Sequence, residues 1–297
     1  MNRLLASELL RATRRPVTRL LVLAAMGAIV VAGLAVFLAH EDISGQELLD
    51  ERTAVARDCV DDPPPRVEEA SSAALRRACA IHARLEVEDP RYHLVDTDDV
   101  LKGATVGVVL IAWIIGASLI GGDWQSRSLT TLLTWEPRRV RVAAAKVLAI
   151  VIVIAALSVT GLALAGLAML PAAALHGTTD GLDASWWSEV GLLLVRGTAL
   201  GVMAAVVAFS IAAIGRSTAA AFGIGFAILL VENIAGGLLP EWRRFTLLGN
   251  SIVFVVGEDN SGEVLDRSFR ASALILAVVA AVALATGVAV FRRQEVR

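Results

Sequence analysis

The chain is 297 residues long, 56% hydrophobic and 19% charged, with a mean hydropathy of +0.68 and a formal net charge of −2. These values exclude an ordinary soluble domain and mark an integral membrane protein; no nucleic-acid partner is expected. A bilayer core offers no water to backbone amides, so a helical span needs about 20 consecutive apolar residues. Uncharged runs of 20, 20, 29, 19 and 21 residues, at 20–39, 103–122, 147–175, 197–215 and 271–291, meet that length. A sixth, of 15 residues from Ser217, reaches it by continuing past Glu232 and Asn233 to Leu239. The predicted fold class is therefore an all-α integral membrane protein with six transmembrane helices.

Orientation follows from Lys and Arg, which favour short cytoplasmic segments. With the N-terminus inside, the predicted inner segments hold 14 of the 27 basic residues. The one long outer segment, 41–99, holds seven arginines against sixteen acids, a formal −9. Both termini are predicted to be cytoplasmic, in a multi-pass protein of the plasma (inner) membrane.

Residues 1–16 read as an amphipathic helix lying on the inner leaflet: Leu5, Ala6, Leu9, Leu10 and Ala12 share one side, and Arg3, Ser7, Glu8, Arg11, Arg14 and Arg15 the other. Pro16 turns the chain into span one, 17–40. A secretory signal peptide shares the basic start and apolar core, but this core is about twice the usual length and five spans follow it. In the 41–99 segment Pro63, Pro64 and Pro65 separate two parts, and 68–85 reads as helix. Cys59 and Cys79, the chain's two cysteines, lie on the predicted oxidising side, so a disulfide bracketing the prolines is expected, with free thiols as the alternative. His82 and His93 lack ligand-spaced partners and read as solvated loop residues, not as a metal site.

Span two, 100–122, leads into a basic connector, 123–146. Here Leu129, Leu132, Leu133 and Val140 alternate with charge at helical spacings, while Leu132, Leu133 and Trp135 offer an apolar anchor. Arg138, Arg139 and Arg141 are placed to pair with acids on a partner; holding lipid phosphates is the blander alternative. No phosphate-cradling Gly-x-x-x-x-Gly-Lys-Ser/Thr surrounds either lysine, Lys102 or Lys146, so an ATPase of this chain's own is disfavoured.

The order Asp123-x-x-x-Arg127-Ser128-Leu129-x-x-Leu132-Leu133-x-x-x-Pro137-x-Arg139, closed by Lys146, resembles the signature after the second span in permease subunits of the type-2 ATP-binding-cassette transporter family. It departs from that pattern in carrying Asp123 where glutamate is common, Arg127 where glycine is common and Ser128 where threonine is common. The resemblance implies that residues 1–16 are an elbow helix and that the connector contains a coupling helix. It implies docking to a separate ATPase through Leu129, Leu132, Leu133, Trp135, Pro137, Arg138, Arg139 and Arg141. It also implies a second permease copy, identical or related, with ATP and Mg bound by the partner ATPase and no cofactor on this chain.

Span three, 147–175, is punctuated by Gly161, Gly166 and Pro171, which predict a tilt or kink. Trp186 and Trp187 fit an interfacial belt before span four, 187–215, and span five follows at 217–239. Counted from Arg216 at about 1.5 Å per residue, Arg196 lies about 30 Å and Glu232 about 24 Å along neighbouring helices. They are expected to pair or, with Asn233, to line a substrate path; snorkelling of Arg196 and capping by Glu232 is the alternative. Gly103-x-x-x-Gly107 and Gly197-x-x-x-Gly201 are possible close-packing faces. The outer segment 240–270 has an apolar run, 251–256, that dips into or lies on the membrane, then a polar stretch, 257–270. Span six, 271–291, precedes a basic tail, 292–297. The function expected is the permease of an exporter for hydrophobic or amphipathic cargo. A polytopic anchor or sensor recruiting a cytoplasmic partner is the alternative, and a secondary transporter ranks third.

Overall fold

A computed structural model describes residues 2–41, 43–63, 72–257 and 267–294. Pro64 and Pro65, the start of the expected 68–85 helix, most of the polar stretch after Gly257 and the last three residues of the tail lie outside the described residues. In chain order the elements are α1 (Asn2–Arg14), α2 (Pro16–Ala39), α3 (Gly45–Asp61), α4 (Ser72–Glu86), β1 (Tyr92–His93), a 3-10 turn (Leu94–Asp96), α5 (Thr97–Gln125) and α6 (Ser128–Trp135). There follow α7 (Arg139–Leu167), α8 (Leu170–His176), β2 (Gly177–Thr178), α9 (Ala184–Gly215), α10 (Thr218–Leu238), a 3-10 helix (Pro240–Phe245), α11 (Leu247–Val256) and α12 (Phe269–Arg293).

Among the described residues six helical stretches are long and apolar enough to cross a membrane: Pro16–Ala39, Leu94–Gln125, Arg139–His176, Ala184–Gly215, Thr218–Leu238 and Phe269–Arg293. They make this an all-α, membrane-embedded protein. Short polar residues set their starts. Asp183 accepts from the Trp186 amide, Ser217 from Ala220, and Ser268 from Ala271, each filling an orphan donor of a first turn. The predicted kink in the third span is a break: α7 stops at Leu167 and α8 restarts at Leu170, with Pro171 in its first turn.

The chain divides into two compact units. The first comprises Met1–Val30, Asp98–Leu167 and Asp183–Arg297. Its centre is α9, which packs on α7, α10, α11 and α12, while α1 packs on α7. Missing side chains make the closest approaches possible. A Cβ on Gly116 of α5 would stand 2.2 Å from the Ala205 carbonyl oxygen of α9, so any side chain there would force the two helices apart. Gly197 and Gly201 likewise meet Thr105, Leu162, Val108 and Ser158, whereas Gly103 and Gly107 face open space. Of the two expected glycine faces, the one on α9 packs within this unit and the one on α5 does not.

The second unit comprises Val31–Thr97 and Ala168–Leu182. A capping box starts α3: Glu47 N–H donates to the Ser44 hydroxyl while the Ser44 amide donates to the Glu47 carboxylate, whose pKa this backbone bond and the Ser44 hydroxyl lower. Helix α3 packs on α4, and Cys59 and Cys79 are joined by the expected disulfide, with Cα atoms 5.6 Å apart. The Arg52 guanidinium forks onto the Val87 carbonyl, at 3.2 and 3.1 Å. The two-residue strands pair in parallel, Tyr92 with Gly177 and His93 with Thr178. His82 and His93 lie 3.1 Å from Glu86 and 3.2 Å from Asp89, respectively. Arg91 grips Asp89 through two side-chain bonds and holds its carboxyl well below the usual range, so this pair's stabilisation is present above about pH 4 and is lost only in stronger acid. Replacing both cysteines by alanine is expected to destabilise the α3–α4 pair by roughly 3 kcal/mol, the loop-closure value for a separation of this size. Protease cleavage within 41–99 at rising temperature reads this out, the variant being cut first.

Candidate functional site

The connector joins α5 to α7. At its start Arg127 stands in the left-handed region, φ 56° and ψ 14°, as the N-cap of α6. That conformation favours glycine, and a side chain there raises the energy by about 1–2 kcal/mol. Arg127→Val, whose branched Cβ tolerates the region worst, is expected to lower stability by a further ~1–2 kcal/mol, while Arg127→Gly lowers it not at all. Thermal unfolding of the purified variants in detergent checks both.

Around the connector's root lies a charged hub. Lys146, at the end of the second turn of α7 and 1% exposed, donates to Glu8 Oε2 of α1 at 2.8 Å and to Asp123 Oδ2 of α5 at 2.5 Å. The other oxygen of Asp123 accepts from Arg15 at 2.5 Å and from the Ser128 hydroxyl of α6 at 3.2 Å. Arg15 also donates to the Ser118 and Leu119 carbonyls of α5. Glu8 is 1% exposed and Arg11, at the rim, sits 3.3 Å from its second oxygen. Two buried anions thus face Lys146 and Arg15, with Arg11 a third cation at the rim, a pairing that burial demands because an unpaired charge there is far costlier than the pair is worth.

This corrects the expectation for α1. Glu8, Ala12 and Arg15, spaced i, i+4 and i+7, are the inward stripe, while Leu10 and Ala6 are exposed. The sequence carried a signal for it: Glu8 is the sole acid in the first 40 residues, and Lys146 stands between Ala143-Ala144-Ala145 and Val147-Leu148-Ala149 with nothing local to pair with.

The expected docking residues divide. Leu129 is 1% exposed and belongs to the apolar core with Ile120, Ala143 and Phe291, and Leu133 packs against that core. Leu132 is half-buried. Arg139 donates to the Phe291 and Gln294 carbonyls at the end of α12, and Arg141 lies 3.3 Å from Glu136. Leu129 and Arg139 are therefore structural here, one filling the core and the other satisfying a helix end. Trp135, 85% exposed, with exposed Pro137 and Arg138, forms the protruding tip. Gln294 in turn donates to the Ala213 and Ile214 carbonyls that end α9, and the Arg216 guanidinium lies 5.3 Å over Trp124. The ends of α5, α9 and α12 and the starts of α7 and α10 gather in one basic face with α1.

Arg196 and Glu232 do not pair. Glu232 accepts the Leu247 and Leu248 amides at the start of α11, at 2.5 and 2.9 Å, and Arg196 lies 4.9 Å over the Phe269 ring. Asn233, exposed, donates to Leu229 O within its own helix. Capping by Glu232, the bland alternative, is what the structure contains.

Six membrane-length helices among the described residues, with a charged hub where α1, α5, α6 and α7 meet, define a polytopic, membrane-embedded helical protein. The chain belongs to the family described as a protein of unknown function (DUF2705), whose model matches residues 87–297. The match takes in Asp123 and Lys146 but starts after Glu8, Arg15 and the disulfide. No curated protein matches the chain.

Proposed function

We propose that this chain is the transmembrane permease subunit of an ATP-driven exporter, working with a separate ATP-binding-cassette ATPase and a second permease copy in the plasma membrane. The observation that carries the reading is the connector itself. A stiff eight-residue helix, α6, raises Trp135, Pro137 and Arg138 out of the basic face, while its root is fixed by Asp123 and Leu129. A topological turn needs no such prow, and a large exposed aromatic beside an arginine is the composition of a binding hot spot. The resemblance of the Asp123–Lys146 stretch to type-2 permeases supplies the partner's class, and the concentration of Arg3, Arg11, Arg14, Arg15 and Arg19 with Arg138 and Arg139 supports a cytoplasmic basic face. The apolar spans support a hydrophobic or amphipathic cargo.

The alternative of an anchor or sensor draws on the disulfide-braced α3–α4 pair in the acidic 41–99 segment. Purification from native membranes separates the two readings. A permease brings down an ATPase whose hydrolysis changes when the two chains are reconstituted together. An anchor brings down a partner with no dependence on nucleotide.

A further inference from the structure

Helix α11 is ten residues long, too short to span a bilayer, and it packs on α9, α12, α10 and the 3-10 helix before it. Both of its ends meet a charge carried by a neighbouring helix. At its N-terminus Glu232 of α10 takes the first two amides. At its C-terminus Gly257 adopts φ 95°, and a Cβ there would stand 2.1 Å from a guanidinium nitrogen of Arg196 of α9. A carboxylate at the N-terminus and a guanidinium at the C-terminus both match the helix dipole. The two ionisable groups that the apolar spans conspicuously carry are therefore spent on one helix, at opposite ends, rather than on each other.

The seat that α11 occupies is poorly satisfied. Asn250 of α11 and Ser272 of α12 are fully buried, yet the Asn250 side-chain oxygen and the Ser272 hydroxyl have no hydrogen-bond partner. The Nε atom of Arg267, whose guanidinium shares the Arg244 carbonyl with Asn250, is buried without one as well. Such groups regain partners when water reaches them, so they favour unseating. Apolar packing of Val253, Phe254 and Val255, with Phe254 stacked on Phe269, opposes it.

We propose that α11 is a lid latched by Glu232 and Arg196, held closed by the two end charges against a buried polar seat that water would otherwise enter. The latch is local to α9–α12 and independent of the transport reading.

The test uses the full chain in liposomes. Its two native cysteines are bridged, so a thiol placed at Val253, which is 0% exposed, is the one free thiol present. The rate at which a charged methanethiosulfonate modifies Val253→Cys is measured alone and combined with Glu232→Gln or with Arg196→Gln. Each neutralisation is expected to raise that rate about tenfold or more: Glu232→Gln weakens the charge-assisted bonds to the Leu247 and Leu248 amides, and Arg196→Gln removes the cation beside the C-terminal end of the helix dipole. Ala208→Cys, in the core of α9, stays protected in the same backgrounds. Unchanged protection at Val253 overturns the latch. So does loss of protection at both positions, because the charges would then hold the whole fold rather than one helix.

Discussion

Lys146→Met is expected to lower the stability of the chain by about 3–5 kcal/mol, the largest effect of any single substitution outside the apolar core. The methionine fills nearly the same volume but leaves Glu8 and the Oδ2 atom of Asp123 facing each other without the ammonium that both touch. Burying two carboxylates with one cation removed drives protonation or local unfolding of α1. Glu8→Leu alone is milder, since Lys146 retains Asp123. The double variant, Glu8→Leu with Lys146→Met, leaves the Arg15–Asp123 pair balanced and is expected to recover at least about 2 kcal/mol of the loss. Melting curves of the four proteins in detergent close this cycle. Additive losses would mean that the two side chains do not act as one unit.

If the proposed ATPase is the partner, Trp135→Ala with Arg138→Glu is expected to weaken its binding by about a hundredfold or more while leaving the melting temperature unchanged. A central tryptophan in an interface typically accounts for about 2 kcal/mol or more, and reversing a neighbouring charge slows association and opposes an acidic partner. Because Trp135 is 85% exposed and Arg138 lies at the surface, neither contributes to the folded chain's core. Leu129→Ala gives the opposite pattern, a loss of about 2–5 kcal/mol in stability, because the 1% exposed side chain leaves a cavity. Binding measured by titration of the purified ATPase, set beside unfolding of the same samples, separates docking residues from supporting ones.

The spans were legible because membrane length is a demand on composition alone: every long apolar run became a helix of the right size, and Pro171 broke the third where a missing amide must. Local chemistry was legible too, as in the Cys59–Cys79 bridge. Pairings between distant residues were not. Glu8 looked solvated because α1 carries Arg3, Arg11 and Arg14 on the same side, and only its packing on α7 reveals that Glu8 faces inward. Arg196 and Glu232 sit at compatible depths, which suggested a pair, but depth leaves rotation about each helix undetermined, and α11 takes the carboxylate. Arg127, an apparent departure from a glycine position, keeps the left-handed backbone that glycine would supply.

The central claim is that the Trp135–Arg138 tip faces the cytoplasm, where an ATP-fuelled partner can grip it. Arg138→Cys, made in a chain whose own cysteines are bridged, tests it with a membrane-impermeant thiol reagent. Labelling of inverted vesicles with none on intact cells is the predicted result; labelling on intact cells would contradict the account.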